Sequence, residues 1–280
     1  WILKDPVARV FNHLGGAVKM WGTVSTGGLE LPSILMTGSK FVPMTSDRME
    51  LRKSKLIIMW GNNPAVNRGN RRAYDFLQAK KAGAKFIFID PMYSHTARAF
   101  ADEWIPIRPG TDTTLLLAIA YYMITNNLQD QEFLDKCTVG FDRDHMPEGA
   151  DPKDNFKDYV LGTYDKTPKT PEWAFPVCGV DPATIRSLAQ QMATVKPASI
   201  ISAWSVSKTD RGEQFAQAFF TVGWMTGNVG IPGGQVNWSG SSDAFYPLVM
   251  AGADGDKFIE NPLFPRKWEP GVGLPDPYDK

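Results

Sequence analysis

The sequence predicts an α/β fold, a three-layer αβα sandwich on a mainly parallel, Rossmann-like nucleotide-binding sheet, with irregular N- and C-terminal segments. Three observations predict it. Short apolar runs, each passing straight into a turn, recur at Lys55–Pro64, Lys85–Pro91 and Glu103–Asp112, and runs of that kind form parallel strands covered on both faces. A helix-like stretch separates the first two and closes at Gly83, where a helix end commonly needs a left-handed residue. Each run leads into a polar or glycine-containing turn, and such sheets bind ligands beyond the carboxyl ends of their strands.

Taken in order, residues 1–40 are rich in Gly, Ser, Thr and Met without a clear period, which predicts a loop-rich junction rather than a regular core element. Arg48–Lys53 is a charged link into the first strand. Helices are expected over Arg68–Ala82 and Thr113–Asn126, the second with Asp112 at or near its N-cap. Gln131–Lys136 gives a short helix, and 138–171, rich in Asp, Lys, Gly and Pro, reads as an irregular surface excursion. Asp181 and Pro182 open a helix running to Thr194. A fourth strand covers Ala198–Trp204, a helix Gly212–Met225, and a turn cluster Thr226–Gly234. The domain reading is therefore a junction at 1–40, an α/β domain at 41–238 and an irregular tail at 239–280.

Length and charge narrow the classes. The 280 residues allow a sizeable core. Thirty basic residues balance thirty acidic ones, which removes the electrostatic case for nucleic acid or an anionic membrane. Leu115–Ile124 is the nearest approach to a long apolar run; it falls short of the roughly 18 residues a spanning helix needs and reads as a buried core helix. Trp1-Ile2-Leu3-Lys4 is not a signal peptide, and the chain is expected to be part of something longer. Cys137 and Cys178 read as two buried thiols. His13, His95 and His145 are scattered without metal-ligand spacing.

The strand ends gather the residues with chemistry. Gly61 permits close backbone approach, Asn62 and Asn63 offer amide donors and acceptors, and Pro64 forces a turn. Asp90 ends the second strand, where an acidic residue accepts from a sugar hydroxyl or base amine in dinucleotide folds. Asp112 follows Pro109-Gly110-Thr111, and a carboxylate matches the paired N–H donors of a guanine edge. The competing reading is that these are helix caps and turn residues. After the fourth strand, Ser205 and Lys208 of Trp204-Ser-Val-Ser-Lys208 suit phosphate oxygens, or else form a solvated loop. Gly227–Gly234 lacks the Gly-Lys-Ser/Thr ending of a phosphate loop and reads as a structural turn. Ser25 sits among glycines in Trp21–Gly28 but has no Gly-x-Ser-x-Gly elbow and no nearby His base, so a hydrolase nucleophile is a poor reading.

Together, Trp60-Gly-Asn-Asn-Pro64, Phe88-Ile-Asp-Pro91, Glu103-Trp-Ile-Pro-Ile-Arg-Pro-Gly-Thr-Asp112 and Thr226-Gly-Asn-Val-Gly230 resemble the recurring signatures of the dimethyl sulfoxide reductase family of molybdopterin oxidoreductases. Phe133-Leu-Asp-Lys136 with Val139-Gly-Phe-Asp142, and Lys169-Thr-Pro-Glu-Trp173, are similar to its reductase-like members. The resemblance runs from Gly15-Gly16 to about Gly234. It implies a bis(molybdopterin guanine dinucleotide) molybdenum cofactor. It also implies that Ser25 is the metal ligand, in a segment where the family's usual acidic residue and tyrosine are replaced by Thr23 and Val24. Trp60, Gly61, Asn62, Asn63 and Pro64 are implied as the cofactor-binding turn, with Val66 and Asn67 near a phosphate, Ile89 and Asp90 at a ribose, and Gly110, Thr111 and Asp112 at the guanine. Trp204, Ser205 and Lys208 are implied at the remaining pterin contacts. The parent enzyme implied is an oxo-transferase that reduces a sulfoxide or amine oxide as terminal electron acceptor, periplasmic or held at a membrane by its partners. Those partners would be further domains of the same chain, one bearing an iron–sulfur cluster, an iron–sulfur electron-transfer subunit and a membrane anchor subunit. The rival reading is a non-catalytic nucleotide-binding module, like the similar domains of thiamine-dependent enzymes or of the molybdenum-free large subunit of respiratory NADH dehydrogenases.

Overall fold

Five parallel strands stand in the order β3-β2-β1-β4-β5: β1 (Leu56–Trp60), β2 (Lys85–Ile89), β3 (Glu103–Ile105), β4 (Ala198–Ser202) and β5 (Gln235–Asn237). The computed structural model describes residues 25–38, 48–67 and 70–237, all within one compact unit, Val24–Ala244. β1 is central, with Leu56 beside Lys85 of β2 and beside Ala198 of β4. Every residue of β1 and of β4 is buried; β1 is wholly apolar, while β4 also buries Ser199 and Ser202.

Side chains alternate across the pleat and sort into two cores. Leu56, Ile58, Trp60, Ile87, Ile89, Ile105 and Ile200 belong to the larger core. They are covered by α1 (Gly27–Thr37), α5 (Asp112–Thr125), α8 (Pro171–Cys178), α9 (Pro182–Thr194) and α10 (Gly212–Met225). Ile57, Met59, Phe86, Phe88 and Ile201 form the smaller one, under Leu51, Phe76, Ala97 and Phe100. That layer consists of the 3₁₀ turn Arg48–Lys53, α2 (Pro64–Asn67), α3 (Asn70–Lys81) and α4 (His95–Phe100). The three-layer α/β reading is thus what the chain adopts.

Several elements differ from expectation. The glycine-rich segment read as loop is helical over Gly27–Thr37, despite Gly27, Gly28 and an internal Pro32. Its helicity comes from packing: Leu29, Pro32 and Ser33 are buried and the helix lies along α10. The excursion at 138–171 is not wholly irregular. It holds α7 (Phe156–Leu161), preceded by α6 (Gln131–Cys137), and it buries Phe141, Val160 and Lys169. Helix α8, capped by the Thr170 hydroxyl on the Trp173 amide, and the short α4 were not anticipated. Nor was β5, whose residues are all buried. Cys178 is buried but Cys137 is exposed, because α6 is short and buries only Leu134.

The turn cluster after α10 is structural, as read. The Asn228 side-chain oxygen accepts from the Ala198 amide at 2.8 Å, and its amide donates to the Thr226 hydroxyl at 2.9 Å. The Ser54 hydroxyl donates to the Gly233 carbonyl at 2.7 Å and shares a 2.9 Å bond with Ser199, to which Gln235 also donates. These bonds satisfy the buried polar groups that seat β5 beside β4.

Candidate functional site

β1 and β4 are neighbours, but the chain leaves β1 for the smaller-core layer and β4 for the larger one. That divergence makes a crevice at the carboxyl ends, the usual ligand position in such sheets. Gly61 leaves β1 with φ +58° and its amide donates to the Ile89 carbonyl at 2.8 Å. A Cβ at Gly61 would stand 2.5 Å from a Val206 methyl, so only glycine passes here without displacement. Asn62 is buried and donates from Nδ2 to the Ser202 carbonyl at 3.3 Å, tying the β1 and β4 ends together. The Asn63 side-chain oxygen accepts from the amide and hydroxyl of Thr96 at the start of α4. Pro64 begins α2. Both asparagines thus shape the turn from within.

Asp90 follows β2. Its carboxylate accepts from the Met92 amide at 2.9 Å, and its carbonyl accepts from the Trp104 indole, also at 2.9 Å. Burial holds the Asp90 carboxyl above the ordinary range. Asp112 opens α5 and is only 8 % exposed. The Trp60 indole donates to its Oδ1 at 2.7 Å. Burial is the main reason its carboxyl also lies above the ordinary range; the Trp60 bond opposes that rise and the nearby Asp90 charge adds to it. Gly110 and Thr111 form the turn before it, with the Thr111 hydroxyl on the Arg108 carbonyl at 2.7 Å.

The β4–α10 loop supplies the facing wall. The Ser205 hydroxyl donates to the Gly61 carbonyl at 2.8 Å, the Ser207 hydroxyl to the Trp204 carbonyl at 3.1 Å, and the Lys208 amide to the Ser205 carbonyl at 3.1 Å. Lys208 is exposed. Between this loop and α5 lies a cleft of about 170 Å³, lined by Gly110, Asp112, Thr209, Asp210, Arg211 and Gln214 among others. Arg211 caps α10 in a left-handed conformation. The N-terminus of α10, with Lys208 and Arg211 beside Asp210 and Glu213, favours anions through its free amides, while a desolvated carboxylate on the other wall favours N–H donors. A phosphorylated ligand with a donor-rich base would meet complementary chemistry on both sides.

The profile of the molybdopterin oxidoreductase family matches residues 2–258. The chain belongs to that family. It is 40 % identical over 248 residues to a protein described as a dimethyl sulfoxide reductase chain of Escherichia coli, covering 87 % of this chain and 30 % of that one. Identity to the Escherichia coli dimethyl sulfoxide reductase DmsA is 39 %, over 92 % of this chain and 31 % of the relative. A trimethylamine-N-oxide reductase of Haemophilus influenzae is 32 % identical, over 81 % and 27 %. The chain spans about 30 % of the length of the curated relatives it matches.

In this molybdopterin oxidoreductase chain the fold brings together Trp60 with Asp112, Gly61 with Ile89 and Ser205, and Asn62 with the end of β4. Val66 is 58 % exposed on α2, which packs against α3 and α4. The side chain of Asn67 lies outside the described residues, as do Gly15, Gly16, Thr23 and Val24. Ser25 is exposed in the turn directly before α1. Arg211, Thr209, Asp210 and Gln214 were missed as cleft residues; only the basic and polar run after Lys208 could have signalled them. The three histidines looked scattered, yet the fold sets His145 Nδ1 2.7 Å from Asp142 and Nε2 3.7 Å from Asp135.

Proposed function

We propose that this chain is the cofactor-binding α/β domain of a molybdenum oxidoreductase that transfers an oxygen atom, reducing a sulfoxide or amine oxide as a terminal electron acceptor. The family implies a molybdenum–molybdopterin cofactor, and the relatives' printed names are those of sulfoxide and amine-oxide reductases. The observation that carries the reading is Asp112: a desolvated carboxylate, anchored by Trp60, on the wall of the crevice at the strand ends. The donor set fits the guanine dinucleotide form of the cofactor. Asp112 would accept from the base, Asp90 from the ribose, and Lys208, Arg211 and the N-terminus of α10 would face phosphate.

When bound, the dithiolene-held metal supplies two-electron oxygen-atom chemistry. The chain's residues bind and orient the group rather than perform that step. Ser25 would give its hydroxyl oxygen to the metal from the turn before α1. The nucleotide contacts, remote from the reaction, contribute affinity rather than rate. Electrons would arrive through an iron–sulfur cluster elsewhere in the polypeptide and an iron–sulfur subunit docked to a membrane anchor, with the enzyme periplasmic or membrane-associated. On this reading the chain does not turn over by itself.

The test uses the full-length enzyme that contains this chain. Molybdenum near one per polypeptide and guanine nucleotide near two are expected, and X-ray absorption at the molybdenum edge should show one light ligand lost in Ser25→Ala. A metal-free enzyme would instead establish the nucleotide-binding module. An unaltered metal–ligand set in Ser25→Ala would reduce Ser25 to a loop residue.

A further inference from the structure

Three glycines from three separate elements converge on one stretch of the β4–α10 loop. A Cβ at Gly28 in α1 would stand 2.9 Å from the Ser207 carbonyl oxygen, 3.2 Å from its Cβ and 3.5 Å from its hydroxyl. A Cβ at Gly212, where α10 begins, would overlap the same Ser207 carbonyl group outright. A Cβ at Gly61 would meet the Val206 side chain at 2.5 Å and the Ser205 hydroxyl at 3.5 Å. The segment Ser205-Val206-Ser207 is therefore gripped by bare backbone from α1, from the end of β1 and from the start of α10. It is also wound on itself through the Ser207–Trp204, Lys208–Ser205 and Thr209–Val206 bonds.

The grip joins two parts of the site that the sequence keeps far apart. On one side, Gly28 lies three residues after Ser25, within a first turn whose Leu29 and Glu30 amides both donate to the Thr26 carbonyl at 2.8 Å. On the other, the gripped segment carries Ser205 and leads into Lys208 and the cleft wall. Close-packed backbone contacts of this kind transmit displacement, because a packed interior has few low-energy ways to absorb an added methyl group. Gly27, the neighbour of Gly28 in the same helical turn, shows the contrast: a Cβ there would meet nothing within 4 Å.

We propose that Gly28 and Gly212 are positioning residues that lock Ser207 between them and so fix the Ser25 turn relative to the nucleotide-binding wall. This rests on the reading of Ser25 as the molybdenum ligand. The lock makes the metal's protein ligand and the nucleotide anchor one rigid body. The nucleotide end then dictates where the serine oxygen stands.

The experiment compares Gly28→Ala with Gly27→Ala in the full-length holoenzyme, so that both carry the same change in helix propensity. Molybdenum and guanine-nucleotide content, the Mo(V) electron paramagnetic resonance g-values, the Mo midpoint potential, and kcat and KM are measured. Gly27→Ala should match the parent throughout. Gly28→Ala should keep its nucleotide while its g-values and potential shift and kcat falls at unchanged KM. Should Gly28→Ala not accumulate, Ser207→Gly removes the Cβ and hydroxyl that face Gly28, together with the bond to the Trp204 carbonyl, and should shift the same spectrum. A g-tensor and potential in Gly28→Ala, or in Ser207→Gly, indistinguishable from those of Gly27→Ala would overturn the lock. Ser25→Ala, measured alongside, separates the causes. If it changes the spectrum while Gly28→Ala does not, only the lock fails; if it leaves the spectrum unaltered, the ligand assignment fails and the lock falls with it.

Discussion

Asp112 holds a structural bond and faces the cleft at once. The Trp60 indole occupies one oxygen, at 2.7 Å, and the carboxylate keeps lone pairs for a ligand. Asp112→Asn in the full-length enzyme would set a partial donor against guanine donors. Charge-assisted bonds left unmade cost about 1.5–3 kcal/mol, so guanine-nucleotide affinity should fall roughly ten- to hundredfold; undiminished nucleotide content would contradict the assignment. The cofactor-free protein should respond in the opposite sense. Its folded-state carboxyl lies above the ordinary value through burial, so the folded state binds the proton more readily than the unfolded one. The stability linked to this group is present below the unfolded carboxylate pKa near about 4 and is lost as pH rises through the raised folded value. Asp112→Asn should flatten that limb, and thermal midpoints of the apo protein against pH would read it.

At the scale of elements, β5 and α7 depend on single side chains that a sequence does not advertise. Asn228 is fully buried and bridges the Ala198 amide to the Thr226 hydroxyl. Asn228→Ala should destabilise the domain by about 1–3 kcal/mol, the cost of a buried amide left unpaired, seen in denaturant midpoints. Asp158 accepts from Arg143, Asn155 and Thr163, and its pKa is lowered to about 2, with the Arg143 bond the largest cause. Its contribution is present above the unfolded carboxylate value and is lost as pH falls from about 4 toward 2. Asp158→Asn should therefore remove part of the acid-unfolding transition and leave the neutral side of the profile unchanged in shape. The strands β1, β2 and β4 were legible because burial on both faces writes itself as a short, mainly apolar run, broken only by Lys85 in β2 and by Ser199 and Ser202 in β4. β5 was not, since Gln235 and Asn237 are buried by hydrogen bonding rather than by hydrophobicity. Helix α1 was hidden by Gly27, Gly28 and Pro32, poor helix formers overruled by packing on α10. Asp90 and Asp112 could be placed at strand ends from spacing alone. The Trp60–Asp112 bond and the presence of Arg211 in the cleft depend on pairings between distant segments, which local pattern does not encode.

For the molecule as a whole, one sheet serves both as scaffold and as site. Its two cores fix the strand ends, the β1–β4 divergence opens the crevice, and Asn62 fastens the two sides together through the Ser202 carbonyl. The same strand order has a consequence for how the chain is made. Leu56 of β1 pairs with Ala198 of β4, 142 positions later (198 − 56). Translation at about 5–20 residues per second leaves roughly 7–28 s between the emergence of the two. During that interval β1 has β2 on one side and an open, wholly apolar edge on the other, a template for pairing with any extended stranger. The central strand of the finished sheet is thus an edge strand until β4 arrives. The nascent chain must be shielded there, or outrun aggregation, until β4 emerges from the ribosome.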